Sequence, residues 1–154
     1  MGAVYFYHLT ESSLEATLPM LLGKSLQAGW RVVVRGTHAA RLEWLDETLW
    51  ANVGDRFIPH GVAGGEFDAD QPILLTTASE LPANTQCLMA FDGAEVAADE
   101  VNALDRTCIL FDGNDPEKLQ LARSQWKGLT DSGCSAQYWA QSGGGWEKKA
   151  ESGA

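Results

Sequence analysis

The sequence predicts an α/β fold built on a mostly parallel sheet with helices on both faces. Two observations carry that expectation. Short runs of β-branched and aromatic residues alternate with longer segments whose leucines recur every three or four positions, the order that βαβ units impose. Runs such as Arg31-Val32-Val33-Val34-Arg35 and Ile73-Leu74-Leu75-Thr76-Thr77 are apolar at consecutive positions, as strands covered on both faces are. At 154 residues the chain has the length of one domain. That domain is expected over residues 1–141, followed by a flexible Gly/Ser-rich tail over 142–154. There is no internal repeat to indicate a solenoid.

Taken in order, Ala3 to Leu9 is a strand, and Thr10-Glu11-Ser12-Ser13 is a polar cluster suited to a helix N-cap. Leu14, Leu18, Leu21, Leu22 and Leu26 then give a helical stripe up to Gly29, with Pro19 either kinking the helix or marking its first turn. Arg31–Arg35 is the second strand. From His38 to Trp50, Leu42, Leu45 and Leu49 form one apolar stripe from which Trp44 is displaced. The stretch Gly61 to Glu66 is too glycine-rich to be regular, and Ile73–Thr77, Gln86–Phe91 and Arg106–Phe111 complete the strands. Ala94 to Leu104 is a short helix. The final helix starts at Asp115-Pro116, with proline in its first turn, and runs to about Thr130.

Composition narrows the function. The formal charge is −10, and affinity for bare nucleic acid depends on neutralising phosphates with Lys and Arg, so DNA is expected only through partners. The charge is uneven. Residues 1–113 carry six basic and sixteen acidic side chains, whereas residues 114–154 carry five of each. No segment approaches the roughly 20 apolar residues of a membrane span, and the N-terminal residues have neither a basic region nor a small-residue cleavage site. A cytoplasmic location with no membrane partner follows. Cys87, Cys108 and Cys134 are an odd set without a C-x-x-C pair, expected as reduced, buried thiols.

A doubly wound sheet invites a search for a phosphate-binding turn, but Leu9-Thr10-Glu11-Ser12-Ser13 holds neither G-x-G-x-x-G nor a Walker lysine. The Gly61–Gly65 stretch is followed by Glu66, Asp68 and Asp70, which repel phosphate. His8, His38 and His60 lie in different elements without ligand spacing, so no metal or other cofactor is expected. There is no G-x-S-x-G elbow. On the enzyme side the best candidate is Asp112, at the carboxyl end of the last of these strands, with Asp115 beside it; both suit a helix-capping loop equally well. That leaves a small α/β nucleotide-binding or transferase enzyme as the alternative to a binding module.

The last helix is more informative. Leu119, Ala122, Trp126 and Leu129 form its core stripe, and Arg123 and Lys127 stand one step round it, with Lys118 near the start. A basic rim beside an aromatic suits an acidic peptide with apolar anchors and a terminal carboxylate. It also suits a solvated face on which the Trp simply packs.

These residues resemble a known family. Arg41-Leu42-Glu43-Trp44-Leu45-Asp46-Glu47-Thr48-Leu49-Trp50, followed by Phe57-Ile58-Pro59-His60-Gly61-Val62-Ala63-Gly64, is similar to the L-D-x-x-L-W and F-[IV]-P-H-x-x-A-G signature of the chi subunits of bacterial DNA polymerase III. Leu119 to Lys127 resembles that family's L-A-R-x-x-[YW]-K helix, and the order of elements agrees up to about Trp146. The resemblance implies a three-layer Rossmann-like fold lacking a nucleotide-binding loop. It implies an accessory replisome subunit without catalysis of its own, which links the clamp loader, through psi or a substitute, to the C-terminal tail of single-stranded DNA-binding protein. Arg123, Trp126 and Lys127 match the tail-binding helix, to which the helix pattern adds Lys118. Trp50 and Phe57 match aromatic positions linked to psi and helicase-like partners. The sequence departs from the family in its extension after Gln141.

Overall fold

The computed structural model describes residues 3–10, 14–51, 61–62, 72–77, 81, 85–142 and 145–152. Strand β1 (Ala3–Leu9), helix α1 (Leu14–Gln27), strand β2 (Val32–Arg35) and helix α2 (Ala39–Ala51) open the fold. Strands β3 (Gly61–Val62), β4 (Ile73–Thr76) and β5 (Cys87–Phe91) follow. Helix α3 (Ala98–Ala103), strand β6 (Arg106–Asp112), helix α4 (Pro116–Asp131) and the strands β7 (Ser135–Ser142) and β8 (Gly145–Ser152) complete it. The eight described strands form one sheet in the order β3-β4-β2-β5-β6-β1-β7-β8. Among the described residues every pairing is parallel except that of β7 with β8. The architecture is the predicted three-layer α/β arrangement.

Alternation along each strand sorts the core between the two faces. Val32 and Val34, Ile73 and Leu75, and Cys87, Met89 and Phe91 pack with Leu18, Leu22, Leu42, Leu45 and Leu49 of α1 and α2. On the opposite face Val4, Phe6, Ala90, Ile109 and Phe111 pack with Val101 of α3 and with Ala122 and Leu129 of α4. Burial of β2 and β4 at every position explains their unbroken apolar runs. The three cysteines are free and buried. Among the described residues no helix is long and apolar enough to cross a membrane.

Pro19 lies inside α1, which begins at Leu14. Residues 11–13 of the polar cluster expected to cap it, and the segment 63–71 that includes most of the glycine-rich stretch, lie outside the described residues. Gly61 and Val62 depart from the expected irregular course. They pair with Leu74 and Leu75 as a short edge strand.

The larger correction is at the C-terminus. Residues 135–142 form a strand that the sequence reading did not recognise, and residues 145–152, expected in a flexible tail, form its antiparallel partner. The physical reason is non-local. β7 docks along β1 from Ala3↔Ser135 to His8↔Ala140, so its far edge is presented as a template on which a sequence of weak β-propensity still pairs.

Candidate functional site

In doubly wound sheets the ligand crevice lies beyond the carboxyl ends of adjacent strands whose connections leave to opposite faces. Besides β1 and β6, which lead to α1 and α4, such a pair here is β2, which leads to α2, with β5, which leads to α3. Their ends are bridged by ion pairs. Arg35, 3% exposed at the end of β2, meets the Glu100 carboxylate of α3 with both guanidinium nitrogens, at 2.9 and 2.7 Å. Glu100 also accepts the Ala97 N–H at 3.1 Å. Asp92 follows β5 in the left-handed region (φ 55°), and its carboxylate receives Arg41 at 2.6 Å and Lys118 at 3.2 Å. Burial alone would raise the pKa of both carboxyls. The hydrogen bonds from their basic partners outweigh it and hold each below its ordinary value. Arg35 with Glu100, and Arg41 and Lys118 with Asp92, are therefore engaged with one another.

The two enzyme-side candidates are also occupied. Asp112 accepts the backbone N–H of Asn114 at 2.9 Å, and Asp115 caps α4 by accepting the N–H groups of Glu117 and Lys118 at 3.0 and 3.4 Å. Both carboxylates shape the capping loop. Among the described residues no group of three or more His, Cys, Asp or Glu side chains is arranged to hold a metal ion.

A separate, open cavity of about 490 Å³ lies between α4 and the β7–β8 hairpin. Its floor is aromatic. Trp126 meets Phe6 edge-on at 5.3 Å and Tyr138 at 6.0 Å, so the indole packs against the core and lines the cavity at once. The Tyr138 hydroxyl is 2.9 Å from His8 Nδ1, and burial raises the phenol's pKa while the charge of nearby Arg123 acts in the opposite direction. The phenol thus stays neutral at physiological pH. His8 is held from behind, because a Cβ at Gly113 would lie inside its ring. Ala140 and Ala150 complete the apolar lining.

Arg123, from the exposed side of α4, and Lys149, from β8, are the cations of the cavity wall. Lys149 reaches it because of a register shift. Tyr138 pairs with Ala150 but Trp139 pairs with Lys148, leaving Lys149 as the extra residue of a β-bulge. A bulge re-aims the side chain it carries, and so the consecutive residues Lys149 and Ala150 both face the cavity.

Of the residues predicted for tail binding, the structure brings Arg123 and Trp126 together in this cavity. Lys127 is exposed one turn along α4 from Arg123 and does not line it. Lys118 is drawn away to Asp92 at the crevice. Trp50 belongs to α2, but its side chain, like the whole of Phe57, lies outside the described residues. His8, Tyr138, Ala140, Lys149 and Ala150 were missed. A signal existed in Ala136-x-Tyr138-x-Ala140, whose period of two is that of a strand face.

The family model for "DNA polymerase III chi subunit, HolC" matches residues 1–137. The chain is also similar to the "Probable DNA polymerase III subunit chi" of Rickettsia prowazekii (strain Madrid E), with 26% identity over 91 residues. That alignment covers 59% of this chain and 55% of the relative, so the chain spans little more than half of the relative's length.

Proposed function

Because the chain belongs to the DNA polymerase III chi subunit family and so has an accessory role in DNA replication, we propose that it is a non-catalytic docking subunit that holds the acidic C-terminal tail of single-stranded DNA-binding protein in the cavity between α4 and β7–β8. The observation that carries this reading is one of complementarity. On a chain of net charge −10, an apolar pocket floored by Trp126 and Tyr138 is flanked by Arg123 and Lys149. An acidic peptide approaching this protein is repelled by most of its surface and attracted here. Apolar anchors of the peptide fill the pocket, and a guanidinium takes a carboxylate with directed hydrogen bonds.

The psi subunit, or a substitute for it, occupies a second surface that includes Trp50 and Phe57, and a helicase-like protein competes there. Support for this half of the reading is the family membership and the resemblance of the segment 41–64 to the family signature. Binding both partners ties the clamp loader to DNA coated with single-stranded DNA-binding protein. The protein then works in the cytoplasm and meets DNA through its partners, as its charge favours.

Titration of a fluorescent peptide copying the tail tests the first half. Wild type is expected to bind, and Arg123→Ala to bind about tenfold more weakly, the effect of losing one charge-assisted contact worth about 1.4 kcal/mol. Raising the salt weakens the complex without abolishing it, since apolar anchoring is little screened. Equal affinity of the two proteins places the site elsewhere.

A further inference from the structure

We infer that Lys149, delivered by the β-bulge of β8, is a second carboxylate-binding group of the cavity, held by Glu147 until an acidic peptide displaces it. This rests on the reading of the cavity as a peptide site and adds a recognition element from outside the family match, which ends at residue 137.

Three observations converge. First, Lys149 and Arg123 come from different elements, yet both line a cavity whose other walls are aromatic or alanine. A peptide lying between them meets a cation from α4 and another from β8. Second, the bulge is what brings Lys149 there: unbroken alternation would not set Lys149 and Ala150 on the same cavity. Third, the partner of Lys149 is replaceable. Its Nζ lies 3.1 Å from Glu147, with the two side chains 49% and 56% exposed. An ion pair this exposed is marginal, so a peptide carboxylate anchored by neighbouring apolar contacts exchanges with Glu147 at little cost. Lys148 supplies the internal control. It stands opposite Trp139 and pairs with Glu151 at 3.1 Å.

Fluorescence anisotropy with a labelled peptide of several aspartates followed by apolar residues and a free carboxyl terminus, at about 0.15 M salt where charge interactions beyond about 8 Å are largely screened, tests this. Lys149→Ala is expected to weaken binding about two- to fivefold, the range of an exposed charge contact. Lys148→Ala is expected to leave it within error, and Glu147→Gln to tighten it by freeing Lys149. Wild-type affinity in Lys149→Ala, with Arg123→Ala still impaired, overturns the inference and leaves the site reading standing. Unchanged affinity in Glu147→Gln overturns the exchange. Failure of the wild type to bind the peptide at all sinks the site reading, and this inference with it.

Discussion

At the scale of residues, Arg35 and Arg123 contrast a structural ion pair with a proposed recognition group. Arg35 is buried and held by Glu100 and by the Glu95 carbonyl at 3.0 Å, so its charge is committed to joining β2 with α3. Arg123 stands exposed on α4 at the rim of an apolar cavity. Glu100→Gln takes a charged hydrogen-bond partner from a side chain 4% exposed and is expected to cost about 1–3 kcal/mol, as loss of such a partner does; urea unfolding measures it. The crevice carboxylates Asp92 and Glu100 are expected to set the acid limit. The native state lowers the pKa of Asp92 and Glu100 from ordinary values of 3.8 and 4.5. Their stabilisation is therefore complete above those values and is lost as pH falls through the lowered native ones. Melting temperatures of the wild type should stay level down to about pH 5 and fall below it, and Glu100→Gln should show a shallower fall; parallel curves would mean that other groups govern acid unfolding.

At the scale of elements, legibility followed locality. The strand runs at 31–35, 73–77 and 106–111 and the stripe Leu42-Leu45-Leu49 were readable because their burial is written in consecutive or periodic apolar residues. The α4 boundary was readable because Asp115 and Pro116 form a local cap. The β7–β8 hairpin was not, since Glu147-Lys148-Lys149 and its flanking glycines describe a solvated edge strand whose pairing is dictated by β1 and β7. Half of the cavity was hidden with it: Trp126 and Arg123 were found from helical spacing, whereas Tyr138 and Lys149 required the hairpin and its bulge. Lys118 stands apart from the cavity for a related reason. Spacing along α4 does not disclose that Asp92, in a turn 26 residues earlier, claims its ammonium group. For the aromatics at and beyond the end of α2, Phe57→Ala and Trp50→Ala are expected to weaken capture of psi while leaving peptide binding intact, as interface anchors do. Pull-down of psi by each variant, with melting curves alongside, checks this. A loss of about 3–5 kcal/mol of stability instead marks the side chain as core.

At the scale of the whole molecule, the fold keeps the frame of a doubly wound sheet, and the proposed binding cavity lies away from that frame's usual place. The crevice at the ends of β2 and β5 is bridged by Arg35, Glu100, Arg41, Asp92 and Lys118, while the cavity opens on the far side of β1, between α4 and the C-terminal hairpin. Charge is distributed to match. The first 113 residues carry sixteen acidic and six basic side chains, and the cavity's two cations come from the neutral last quarter of the chain. Titrating isotopically labelled protein with the tail peptide and following amide and indole resonances by NMR tests the central claim most directly. The account predicts that the Trp126 indole signal and the amides around Arg123, Tyr138 and Lys149 shift together and saturate with one affinity, while those around Arg35 and Asp92 stay in place. Shifts confined to the β2–β5 crevice, or none at saturating peptide, would contradict it.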